Sequence, residues 1–74
     1  MVVHDIVLFA EEYKTRKVVV EKKRMFYLVT DSGKRLVAFF GLPLSDFELE
    51  FIINMLRDHE LEVEVGNDEN QDDP

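Results

Sequence analysis

Two histidine–carboxylate neighbours, His4-Asp5 and His59-Glu60, are the positions whose residue types suit proton transfer or metal ligation. Adjacent residues on a strand point to opposite faces, so neither pair is arranged as a base with its orienting acid. Two histidines at opposite ends of the sequence, with no cysteine, also lack metal-ligand spacing. The two serines read as structural: Ser32 falls in a turn and Ser45 at a helix cap, and neither has the neighbouring base that makes a nucleophile. A single turn glycine, Gly33, makes neither a phosphate loop nor a dinucleotide fingerprint. The expectation is a protein that is not an enzyme, with no metal and no cofactor.

Binding chemistry is better represented. Phe47, Phe51 and Met55 recur at i, i+4 and i+8, roughly opposite Leu49, Ile52, Ile53 and Leu56 on a helical projection. One face builds a core and the other is left for a partner. Asp46, Glu48, Glu50 and Asp58 surround the aromatic stripe with negative charge, the composition of an interface centre and its rim. Burial of the stripe inside the fold, or by a second copy, is the competing explanation. Phe47, Phe51, Glu48, Met55, Glu50 and Asp46 are therefore the candidate partner-binding residues.

The helix that carries them has a well-marked start. Ser45 followed by Glu48 is a capping box, and Leu44 with Leu49 is its hydrophobic staple. With Pro43 two residues ahead of the cap, the helix is expected over Asp46 to about Asp58. Before it, Met25 to Thr30 and Lys34 to Phe40 flank Asp31-Ser32-Gly33 as a hairpin, and both faces of its first strand are largely apolar. Lys17 to Glu21 reads as a β-branched strand, and Leu61 to Val65 alternates as a strand with one wet face. Residues 2 to 10 fit either period: Ile6, Phe9, Ala10 and Tyr13 suit a helix, but the Val, Ile and Phe content leans towards a strand. The sum is an α+β fold, a small antiparallel sheet of three to four strands with one helix packed across it. Residues 1–65 form a single domain, and 66–74 an acidic tail expected to be disordered.

Seventy-four residues sit near the lower limit for a self-supporting core, and six Phe with two Tyr are a heavy aromatic load. Both favour association. No apolar run is long enough for a membrane span, and no signal peptide is recognisable, so a cytoplasmic location is expected. The net charge of −7 is unevenly placed. Residues 14–35 hold eight Lys/Arg against Glu21 and Asp31, whereas Arg57 is the one base from residue 42 onward, against eleven acids. Such a surface repels nucleic acid and membranes and attracts basic partners, including enzymes whose grooves hold DNA. An alternative uses the basic segment 14–35, with Tyr13, Phe26 and Tyr27 interleaved, to bind nucleic acid or protein. A third reading is a dimerisation domain.

The run Gly41-Leu-Pro-Leu-Ser-Asp-Phe-Glu48, with Asp31, Gly33 and Lys34 at the preceding turn, resembles the small uracil-DNA glycosylase inhibitors of short-tailed Bacillus phages. The match spans roughly residues 25–65. The resemblance implies a homodimeric DNA mimic in the host cytoplasm, with host uracil-DNA glycosylase as partner. By position, it makes Phe47 the central residue of a pocket for the side chain that wedges DNA open, Phe51 its neighbour, and Glu48 a phosphate substitute.

Overall fold

The hairpin turn and the capped helix described above are joined through a shared core. Residues 2–66 are described by the structure, a computed structural model, and form α1 (Val2–Tyr13), β1 (Lys17–Glu21), β2 (Met25–Thr30), β3 (Gly33–Phe39), α2 (Asp46–Asp58) and β4 (Glu62–Val65). The four strands make one sheet in the order β3-β2-β1-β4. The β1–β2 and β2–β3 pairs are antiparallel. The β1–β4 pair is parallel. The fold is thus α+β, as expected, with a mixed rather than purely antiparallel sheet.

Val18 and Val20 on β1 stand beside Leu28 and Phe26 on β2, and all four are fully buried. Val3, Ile6 and Ala10 of α1 and Leu49, Ile53 and Leu56 of α2 join them in one cluster, closed by Leu61. Both helices therefore cover the same side of the sheet. Burying each large apolar side chain contributes roughly 1.5–3 kcal/mol, and this is where the fold's stability is concentrated.

The leaning towards a strand at residues 2–10 is corrected: the segment is the first two and a half turns of α1. Val2, Val3, Ile6 and Val7 each cost a few tenths of a kcal/mol in helix propensity, but spacing at 3, 6 and 10 lets one stripe bury completely. Burial outweighs propensity by several-fold. The end of α1 is marked without glycine. Thr15 N–H donates to Ala10 C=O (3.0 Å) and Lys14 N–H to Glu11 C=O (3.2 Å), with Lys14 at φ 57°, which is a Schellman motif. The parallel placement of β4 follows from the length of α2, which carries the chain from one edge of the sheet over its covered side to the other edge. Glu62 N–H donates to Arg16 C=O (2.7 Å) and Gly66 N–H to Val20 C=O (2.7 Å), fixing both ends of that pairing. The tail beyond Gly66 lies outside the described residues.

In the β2–β3 hairpin Gly33 takes φ 116°, the conformation its turn requires, and Thr30 Oγ1 donates to its carbonyl at 3.0 Å. The β1–β2 connection solves the same problem without glycine. Lys22 and Lys23 both have positive φ (57° and 56°), and Arg24 N–H closes the turn on Glu21 C=O at 3.1 Å. Lysine in the left-handed region is disfavoured, whereas Asn tolerates it. Lys22→Asn is therefore expected to stabilise the fold by about 0.5–1 kcal/mol, read as a higher urea midpoint with unchanged slope.

Candidate partner-binding site

Helix α2 is fixed at both ends, which makes it a rigid carrier. Glu48 N–H donates to Ser45 Oγ and Ser45 N–H donates to Glu48 Oε1, each at 3.1 Å, completing the capping box. Leu44 packs against the core that buries Leu49, so the staple is also in place. At the other end Leu61 N–H donates to Leu56 C=O (3.2 Å) and Glu60 N–H to Arg57 C=O (2.8 Å). Glu60 takes φ 67°, a second Schellman motif with a charged residue where glycine is usual. Leu56 and Leu61, both buried, supply its apolar contact.

The buried positions 49, 53 and 56 set the outermost line of α2 on the opposite side, through Phe47, Phe51, Asn54 and Asp58. Phe47 is 80% exposed and Phe51 56%. Among the described residues nothing buries the stripe. Met55, predicted to continue it, is half-buried and packs against the core, so the site ends at Phe51. Leu42, 80% exposed in the loop before the helix, adds an apolar side chain that no periodic pattern in the sequence marks. Its position between Gly41 and Pro43 is the signal in the sequence, because a leucine held in a loop there is kept away from the core.

The acidic rim has structural duties as well. Glu48 is held by the cap, and Asp46 accepts from Lys23 Nζ at 2.8 Å. Glu50 and Asp58 are exposed, and Glu62 and Glu64 carry negative charge along β4. The basic turn Lys22-Lys23-Arg24 sits against the entrance to α2. Leu44 N–H donates to Lys23 C=O (2.8 Å), Phe40 N–H to Arg24 C=O (2.9 Å), and Arg24 Nε–H to Phe40 C=O (3.1 Å). This turn is a brace for the loop that delivers Phe47.

The remaining bases of 14–35 do not gather into one patch. Lys14, Arg16 and Lys17 lie at the opposite end of β1 from the 22–24 turn, and Arg16 pairs with Glu60 at 3.6 Å. Arg35 lies over Tyr13 of α1, on the helix side of the sheet, while Lys34 crosses the other side to pair with Glu21. His59 and Glu60 line an open cleft of about 460 Å³ between the C-terminal ends of the helices, with Lys14, Arg16 and Glu11. His4 and Asp5 are exposed on the first turns of α1. Among the described residues no group of three His, Asp or Glu could hold a metal, and no buried side-chain polar atom lacks a partner. No helix among them is long and apolar enough to cross a membrane.

Compared with known proteins, the chain matches no family model, no curated protein and no solved structure.

The Lys23 hydrogen bond, followed by the lysine's charge, lowers the Asp46 carboxyl from its ordinary value of 3.8. A lowered folded-state value makes the pair's contribution complete above 3.8 and lost as pH falls through the lower folded value. Lys23→Ala is expected to return Asp46 towards 3.8 in an NMR titration of the side-chain carboxyls. Both groups are exposed, so stability at neutral pH should hardly change.

Proposed function

We propose that the chain is a non-enzymatic protein inhibitor of uracil-DNA glycosylase, an acidic DNA mimic that blocks the enzyme's DNA-binding groove. The observation that carries this reading is the exposed Phe47–Phe51 stripe on a helix braced at both ends and rimmed by acids. A DNA-binding groove is basic, and base-flipping enzymes push an apolar side chain into the duplex. Such a surface is matched by negative charge around an apolar seat. The similarity of residues 41–48 to the phage inhibitors selects this enzyme among DNA-binding partners.

In this proposal the roles divide by geometry. Phe47 and Phe51 seat the wedge side chain, with Leu42 extending the apolar surface. Glu48, already oriented by its cap, substitutes for a phosphate at little ordering cost. Asp46 contributes less, because Lys23 offsets its charge. Glu50 and Asp58 steer the approach. Inhibiting a DNA-repair enzyme places the protein in the cytoplasm of the host cell.

The test is titration into a uracil-excision assay with bacterial glycosylases. Inhibition at near-equimolar ratio is expected, and Phe47→Ala should raise the inhibition constant about 30-fold or more with an unchanged circular dichroism spectrum. Ile53→Ala, in contrast, removes a buried side chain and should cost about 2–5 kcal/mol of stability. Absence of inhibition at tenfold excess across several glycosylases, or loss of folding on Phe47→Ala, would sink the proposal.

A further inference from the structure

The two outer strands of the sheet treat their edges differently. Strand β4 is four residues long, and Arg57 Nη2 donates to Val63 C=O at 3.2 Å. That carbonyl points off the sheet, because Glu62 and Gly66 on either side of it donate to Arg16 and Val20. An arginine thus guards the β4 edge. Strand β3 is seven residues long and contains no proline. Phe40 N–H donates to Arg24 C=O, and the antiparallel alternation from that pair turns the backbone groups of Ala38 and Arg35 towards β2. Those of Lys34, Leu36 and Phe39 point away from it, and Val37 is the extra residue of a bulge, opposite no residue of β2. Among the described residues none bonds the outward backbone groups of Leu36 and Phe39.

Cations commonly guard such an edge, but both cations of β3 are folded inward. Lys34 crosses the open side of the sheet to Glu21 and lies over Tyr27, while Arg35 lies over Tyr13 of α1, each 4.8 Å from the ring centre. The backbone from Leu36 to Phe39 is left uncovered by them. Apolar side chains flank it on both sides. Leu36 and Phe39, 52% and 57% exposed, stand on the open side; on the helix side Phe9, 38% exposed, stacks on Tyr13 with 6.3 Å between ring centres. A strand laid along β3 alternates its side chains between these two rows. Its backbone bonds supply the hold, and the rows select the sequence. Charge selects further. Strand β3 carries two bases and no acid, whereas β4 carries two acids and no base. A segment with carboxylates facing Lys34 and Arg35 is favoured there, and a basic one is repelled.

We propose that the β3 edge takes an extended, acidic and apolar segment of another protein as a fifth, antiparallel strand of the sheet. Phe47 and Phe51 lie on α2 and have no part in it, so this site stands apart from the inhibitor reading.

The probe is a fluorescein-labelled heptapeptide with blocked ends, Thr-Val-Tyr-Val-Asp-Val-Glu, whose acids fall beside Lys34 and Arg35 in the antiparallel sense. Titration with the full chain should give a saturable rise in anisotropy. N-methylation of one alternate set of peptide amides should weaken binding about tenfold or more, and of the other set hardly at all, because one set of amides faces β3. Leu36→Pro removes an outward N–H that the fold does not use and should also abolish binding, with an unchanged circular dichroism spectrum. Phe47→Ala should bind as the parent chain does. By hydrogen exchange, the Leu36 and Phe39 amides should be fast in the chain alone and slowed about tenfold or more by the peptide, with Arg35 and Ala38 slow throughout. The N-methyl pair decides the matter however the variants fold. No binding overturns the proposal, as does equal loss with both N-methyl sets, or a folded Leu36→Pro or Phe47→Ala chain that behaves otherwise. Protection of Leu36 and Phe39 in the chain alone also overturns it, since a second copy or another segment then holds the edge.

Discussion

Val18, Val20, Phe26 and Leu28 form a central square on which both helices rest, and most other features follow from that one-sided burial. The described residues are enough to cover one side of a four-stranded sheet with two helices and no more. The positions of β1 and β2 that point the other way, Val19, Met25, Tyr27 and Val29, are nonetheless apolar. Likewise, α2 spends Leu49, Ile53 and Leu56 on the square, and its outer line is set by helical geometry alone. The two exposed apolar surfaces are thus consequences of the same core, lying on opposite outer layers of the molecule.

The second constraint is local. Lys23, Arg24, Phe40, Leu44 and Asp46 exchange backbone and side-chain hydrogen bonds that tie the β1–β2 turn to the approach of α2. The basic turn and the acidic helix start, far apart in sequence, partly neutralise each other where Phe47 emerges. Holding that junction costs two lysine residues in a disfavoured backbone region. The return is a helix whose first turn is tied to Lys23 as well as held by its own cap.

Much of the architecture is legible in the sequence where local chemistry and burial agree. Lys17–Glu21, Met25–Thr30 and Asp46–Asp58 occupy the spans that their patterns indicate, since Ser45, Gly33 and β-branched runs act through their own backbone. Residues 2–13 are harder to read because their composition favours a strand and their stop, Lys14, is a left-handed position without glycine. The direction of β4 is not local information either, as it depends on where α2 ends over the sheet. For the stripe, spacing separates Phe47 and Phe51 from the core, but Met55 sits on the flank of the helix, where neighbouring elements rather than periodicity decide exposure. Leu42 belongs to no period at all. The pairing of Asp46 with Lys23 needs the folded turn to be seen.

The parallel pairing of β4 with β1 also sets an order of assembly. Lys17 and Glu62 become neighbours across about 45 residues, the longest loop closure among the strand pairs, whereas β1–β2 and β2–β3 join through tight turns. The meander can collapse early, but β1 gains its second strand neighbour after α2 has spanned the sheet. Helix α2 and β4 thus dock as a late unit, bringing Phe47, Phe51, Glu62 and Glu64 into place together. A chain that has formed its meander alone is partly folded yet presents neither the aromatic stripe nor the acidic edge.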